Sequence, residues 1–283
     1  MSIVFVLASF LPIQAFCVGE KTVLLSILAR NKEHVLPRYL KCIDALDYDK
    51  KLITVYINTN NNEDNTEKML QRWAQKRKDL YYDIVFESHE VEDLPSARPH
   101  EWNSTRFKVL GAIRNTSLQK AKEYNCDYYF VVDCDNFIAP STLNVLVSKN
   151  KPIIAPLLRA IPEKGDPYSN YFYDISQDGY YKDHPDYWKI LNRQNIGVFM
   201  VPVVHCTYLV KSKYIDQLSY IDETDDYEFI IFSRIARRNN VQQYICNEEE
   251  FGVLAHFHTD VSIAEENRRL QEYFRGVNTN GGR

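Results

Sequence analysis

The sequence has no Walker-type loop and no glycine-rich dinucleotide fingerprint among its nine glycines, which sets kinases and dehydrogenases aside. It also lacks a basic run long enough to track a nucleic-acid backbone, and its formal net charge of −4 points the same way. Nucleic acid is therefore not an expected partner. The basic stretches at 72–78 and 234–240 are interrupted by apolar residues at helical spacing and read as solvated helix faces. Six cysteines, at 17, 42, 126, 134, 206 and 246, show no paired zinc-type spacing, and no disulfide framework is expected. Beyond the N-terminus no segment is apolar enough to cross a bilayer, so the mature chain is expected to be soluble.

What the sequence does contain is apolar and aromatic mass. With 283 residues, 45% of them hydrophobic and 13% aromatic, the chain can bury a sizeable core. An apolar stretch from Ile3 to Leu11, followed by small and helix-breaking residues, has the form of a secretory signal and is too short to span a membrane. The expected organisation is a signal peptide over 1–18, one domain over 19–272 and a polar tail over 273–283. Sequons at Asn103 and Asn115 fit a secretory route.

From residue 22 onward strand-like and helix-like segments alternate. TVLLSILA (22–29), ITVYINT (53–59), YDIVFES (82–88), YYFVV (128–132) and PIIAPLL (152–158) have strand composition. Helical patterns run from Glu33 to Leu46, Asn65 to Lys78 and Arg106 to Tyr124, the last with Phe107, Leu110, Ile113, Leu118 and Ala121 near one face. This alternation predicts an α/β fold with a mostly parallel sheet flanked by helices. Ligands of such sheets bind beyond the carboxyl ends of the strands. Ala29-Arg30-Asn31, Asn58-Thr59-Asn60 and Asp133-Cys134-Asp135 all fall at predicted strand ends, so they should converge on one crevice.

Asp133 and Asp135 are the sharpest chemical signal. Two carboxylates one residue apart on extended backbone would point the same way and could share a cation. A divalent ion held by carboxylates and phosphate oxygens neutralises a diphosphate leaving group, and hard oxygen ligands favour Mn²⁺ or Mg²⁺ over zinc. With the α/β alternation, this points to a nucleotide-sugar-dependent glycosyltransferase of the A-type fold. The tyrosine-rich stretch at 167–188 reads either as core and turn residues or as rings lining a groove for a sugar face or peptide. VFMVPVVHCTYLV (198–210) reads as one long strand-like segment carrying His205, and an acidic cluster leads into an amphipathic helix near residue 228.

Several ordered blocks, among them LLSILARNKEHVLPRYL, DYYFVVDCDNF, YSNYFYDISQDGYY, NRQNIGVFMVPVVHCTYL and EFIIFSRIARRNNV, closely resemble the procollagen galactosyltransferase family, which includes the cerebral endothelial cell adhesion molecule. The resemblance covers most of residues 22–260. It implies a UDP-sugar donor, Mn²⁺ (or Mg²⁺), an endoplasmic reticulum location, and inverting transfer of galactose to hydroxylysine of a collagen-like acceptor. By the same resemblance Asp133 and Asp135 hold the metal and diphosphate, Ala29, Arg30 and Asn31 edge the nucleotide site, and Asn60 and Asp64 lie in the next loop. His205 matches a family histidine and joins the nucleotide-sugar site.

Glu228 stands where the family has the second of two adjacent aspartates, and Tyr227 replaces the first. An inverting transfer needs a carboxylate base, and Glu228 or Asp226 is the candidate. The third metal ligand is expected from His256 or His258, with His258 preferred. Family members usually carry a second glycosyltransferase domain and a retention signal, whereas this sequence ends at NTNGGR, so secretion is an alternative location. Alternatives to the galactosyl reading are a glucosyltransferase with another acceptor and a non-catalytic binding protein that keeps the fold; a homodimer is an alternative to a monomer.

Overall fold

Buried strands that face helices on both sides are apolar throughout, and this chain has several. The computed structural model describes residues 21–91, 103–161, 168–257 and 261–280. The first half alternates as β1 (Val23–Ala29), α1 (Leu36–Ala45), β2 (Ile53–Asn60), α2 (Thr66–Arg77), β3 (Asp83–His89), α3 (Ser104–Glu123) and β4 (Tyr128–Val132). There follow β5 (Asn136–Ile138), α4 (Thr142–Lys149), β6 (Ile153–Pro156), β7 (Arg159–Ala160), β8 (Tyr171–Phe172), β9 (Asp174–Ile175), β10 (Tyr181–Lys182) and α5 (Pro185–Leu191). The chain continues as β11 (Val198–Val201), β12 (Val203–Val204), β13 (Thr207–Lys211), α6 (Glu228–Arg238), β14 (Gln243–Cys246), β15 (Gly252–Leu254) and α7 (Ile263–Asn280).

Eight strands form the central sheet in the order β11-β14-β6-β13-β4-β1-β2-β3. Pairing is parallel from β4 through β1 and β2 to β3, while β13 runs antiparallel between β4 and β6 and β11 closes the far edge antiparallel to β14. The mostly parallel sheet expected from the alternation is present. Val23, Leu25 and Ile27 join Phe130 and Val132 in one buried cluster with Leu36, Tyr39 and Ile43 of α1. Leu24, Tyr129 and Val131 point to the opposite layer, against Leu118 of α3 and Phe232 of α6. Strand alternation thus divides one apolar run between two cores.

Several local expectations change. The first helix begins at Leu36 rather than Glu33, because Pro37 occupies its first turn, where a missing N–H costs least. The segment 198–210 is three strands: Pro202 breaks the first from the second, and Cys206, at φ +62°, turns the chain before the third. Arg234 is no solvated face, since it pairs with Asp222 and Asp226. Asn115 is a packing residue, its amide donating to Ser219 Oγ and accepting from the Tyr220 N–H, with Ser117 of the same sequon buried. Helix α7 carries the chain past residue 272, and Phe274 packs edge-on to Phe137 at 5.1 Å where a polar tail was expected. The predicted signal peptide lies outside the described residues. The five cysteines from Cys42 onward are free thiols, and no described helix is long and apolar enough to cross a membrane.

Candidate active site

The loops after β1, β2 and β4 meet at the carboxyl edge of the sheet. Thr59 Oγ1 donates to the Ala29 carbonyl, the Asn31 N–H donates to Asn62 Oδ1, and Asn31 Oδ1 accepts from the Glu63 N–H. Asn31 takes φ +53°, a left-handed conformation that asparagine tolerates better than most residues. Asp64 accepts from the Glu33 and Thr66 N–H groups, so it ties the two loops together. These contacts shape one wall of a cavity of about 770 Å³ lined by Ala29, Arg30, Asn31 and Asn60 from the strand ends, and by Asp64 from the loop beyond β2.

Asp133 and Asp135 stand on the cavity floor, but on a turn rather than an extended strand. The Asn136 N–H donates to the Asp133 carbonyl, and the Asp133 N–H reaches the carbonyl of Cys206. Tyr39 Oη donates to the Val132 carbonyl, which fixes the end of β4. On the far side the Ala255 N–H donates to the Asp135 carbonyl, anchoring the stretch after β15 beside the floor. Gly252 starts that strand at φ +128°, where an added Cβ would lie 2.1 Å from the Phe137 carbonyl oxygen. Only glycine permits this approach.

Both aspartates are already matched with cations. Arg114 Nη2 donates to both Asp133 oxygens at 2.8 and 3.1 Å, and its Nε lies 3.4 Å from Glu228 Oε1. Lys32 Nζ lies 2.9 Å from Asp135 Oδ2. Neither Arg114 nor Lys32 was anticipated from sequence. Arg114 had a signal: it stands with Phe107, Gly111, Leu118 and Ala121 on the buried stripe of α3, where a charge demands a partner. Leu110 and Ile113, expected on that stripe, line the cavity instead.

Glu228 begins α6, is buried, and lines the same cavity. Burial raises its carboxyl above the ordinary range against the pull of Arg114, with the Asp133 charge adding to the rise. Asp133 is also raised, by burial, against Arg114 and with Asp135 adding. Asp226 differs: it accepts from Tyr180 Oη at 2.7 Å, pairs with Arg234 and does not line the cavity. Burial is its largest influence, yet those hydrogen bonds hold it below the usual range. Of the two base candidates, Glu228 is the one that reaches the cavity.

His205 lines the cavity among rings, 4.7 Å from Phe229 and 5.7 Å from Phe172 between centroids. Its Nδ1 is 2.8 Å from Cys206 Sγ, and its buried Nε2 has no hydrogen-bond partner among the described residues. Burial, aided by His256 and Arg114, pushes its pKa down to about 3, so the ring is neutral. The tyrosine-rich stretch divides: Tyr171 and Tyr187 are core, whereas Tyr168 and Tyr180 line the cavity.

Asp133 and Asp135 offer hard oxygen donors suited to Mn²⁺ or Mg²⁺. Among the described residues no third histidine, cysteine or carboxylate completes a metal-binding group with them. His256, the other candidate ligand, stacks on Tyr168 with centroids 4.0 Å apart, and His258 lies outside the described residues. The pair fits a cation shared with ligand phosphates, a common arrangement for ions that keep few protein ligands.

The model of the glycosyltransferase family 25 N-terminal domain matches residues 20–272. The chain belongs to glycosyltransferase family 25. It is 35% identical over 243 residues to human procollagen galactosyltransferase 2, covering 82% of this chain and 38% of that protein. It is also 32% identical over 242 residues to the human inactive glycosyltransferase 25 family member 3, covering 82% of this chain and 40% of that protein. The chain thus spans about two-fifths of the length of these relatives. Among solved structures, S. aureus TarS 1–349 in complex with UDP-GlcNAc aligns at a TM-score of 0.54 and 13% identity, over 89% of this chain and 71% of that one. GalNAc-T7 with UDP, GalNAc and Mn²⁺ aligns at a TM-score of 0.58 and 14% identity, over 90% of this chain and 49% of that one. The family 25 domain therefore has the A-type glycosyltransferase fold.

Proposed function

We propose that this domain transfers a hexose, galactose in the first instance, from a UDP-sugar to a hydroxylysine of a collagen-like protein, with inversion and with Mn²⁺ or Mg²⁺. The observation that carries the proposal is that Glu228 and the pair Asp133 and Asp135 line one cavity at the carboxyl edge of the sheet. Asp133 and Asp135 would hold the ion, which supplies charge neutralisation for the departing diphosphate. Ala29, Arg30, Asn31, Asn60 and Asp64 form the nucleotide wall, and His205 stands in the aromatic wall facing the sugar. Glu228, buried at the cavity with its carboxyl raised above the ordinary range, is the general base and takes the acceptor hydroxyl proton in its ionised form. The names of the procollagen galactosyltransferase relatives support a collagen acceptor; the hydroxylysine and the secretory-pathway setting are part of the proposal.

A second reading has its own support. Some relatives are named inactive, and in this chain both aspartates are occupied by Arg114 and Lys32. A non-catalytic member would keep the fold and bind without transfer. The test is UDP release from a panel of UDP-sugars, with Mn²⁺ or chelator, with and without a hydroxylysine-containing collagen peptide. Peptide-stimulated turnover of UDP-galactose that chelator removes supports the transferase; inertness of every donor favours the binding protein.

A further inference from the structure

The ion pair of Lys32 with Asp135 differs in kind from that of Arg114 with Asp133. Arg114 is 6% exposed and lies between two acidic groups, so it has no anion to move to without abandoning one of them. Lys32 is 24% exposed, and its flexible stem can swing. Its main chain, by contrast, is fixed: the N–H donates to Thr66 Oγ1 at 2.6 Å, and the carbonyl accepts from the Val35 and Leu36 N–H groups. Burial works against the Lys32 charge, and Asp135 holds the ammonium above its ordinary range all the same. The other carboxylate acting on it, Glu266, is engaged by His34 Nε2 at 2.9 Å.

From this placement we infer that Lys32 is a diphosphate-binding residue whose ammonium neutralises Asp135 in the free protein and passes to the diphosphate of the bound nucleotide. The inference rests on the UDP-sugar reading of the cavity. A cation placed on Asp135 would compete with Lys32 for that carboxylate, and the released ammonium would find the incoming phosphate oxygens as its nearest free anion. Lys32 would then compete with the metal when no nucleotide is present and assist the nucleotide once it arrives. The two effects have opposite signs, which a merely structural role would not produce.

The test compares wild type, Lys32→Met and Lys32→Arg. UDP binding is followed by calorimetry in chelator, and Mn²⁺ binding without nucleotide by electron paramagnetic resonance of the free ion. Lys32→Met is expected to weaken UDP binding in chelator about tenfold, the worth of one charge-assisted hydrogen bond. The same variant should bind Mn²⁺ alone more tightly, and Lys32→Arg should retain most of the UDP affinity. If wild type binds UDP in chelator and Lys32→Met binds it equally well, the role of Lys32 is overturned while the donor reading stands. Weakening of both ligands together would mark a structural lesion and also overturn it. If wild type binds UDP neither in chelator nor with Mn²⁺, the donor reading falls and Lys32 falls with it.

Discussion

Arg114 Nη2 reaches both carboxylate oxygens of Asp133, at 2.8 and 3.1 Å, from the middle of a helix whose neighbouring stripe positions are core. The same guanidinium approaches Glu228 at 3.4 Å, so one buried cation stands between Asp133 and the proposed base.

Removing that cation leaves two acidic groups in a poorly solvated site. Arg114→Met is expected to cost about 3–5 kcal/mol of stability, the usual penalty for breaking a buried pair by one partner. Chemical denaturation of the variant checks it, and a loss within about 0.5 kcal/mol, typical of a plain surface change, would show that the network is not structural.

The proposal gives Glu228 proton removal and not nucleotide binding. Glu228→Gln should leave UDP affinity within about twofold and lower transfer by about 10²–10⁴-fold, the range for losing a general base. Because burial raises the Glu228 carboxyl, the acid limb of the wild-type kcat/KM profile should lie above the ordinary carboxylate range and vanish in the variant. An equal loss of UDP binding would contradict this assignment.

His205 makes the fold acid-sensitive. Its folded pKa of about 3 is below the unfolded value of 6.5, so the unfolded chain binds more protons between those limits and stability falls as pH drops through that window. The slope from this group approaches about 1.4 kcal/mol per pH unit inside the window. Denaturation of wild type and His205→Phe at pH 7 and pH 5 should show a smaller pH-dependent loss in the variant. Equal losses would mean that the ring is protonated without penalty.

The sequence carried the sheet plainly, because β1 and β4 are buried on both faces and so are nearly unbroken apolar runs, and β2 opens on the β-favouring stretch ITVYI. Strand ends alone bring Asp133, Asn31 and Asn60 to one crevice. What it concealed were side chains whose meaning is tertiary. Lys32 became part of the floor only through the turn at Asn31 and the bond from its N–H to Thr66, a residue 34 positions away. Asp226 and Glu228 were indistinguishable as base candidates until Arg234 and Tyr180 were found on the first. The extended geometry assumed for Asp133 to Asp135 missed the turn closed by Asn136, yet both carboxylates still line the cavity.

The most direct test of the central claim is calorimetric UDP binding by wild type and Asp135→Asn, each with Mn²⁺ and with chelator. The account predicts that Mn²⁺ strengthens UDP binding by the wild type at least about tenfold, a coupling of roughly 1.4 kcal/mol. It also predicts that Asp135→Asn loses this Mn²⁺ effect while its melting temperature is retained. UDP binding by wild type that is indifferent to Mn²⁺, or an unchanged Mn²⁺ effect in the variant, would contradict it.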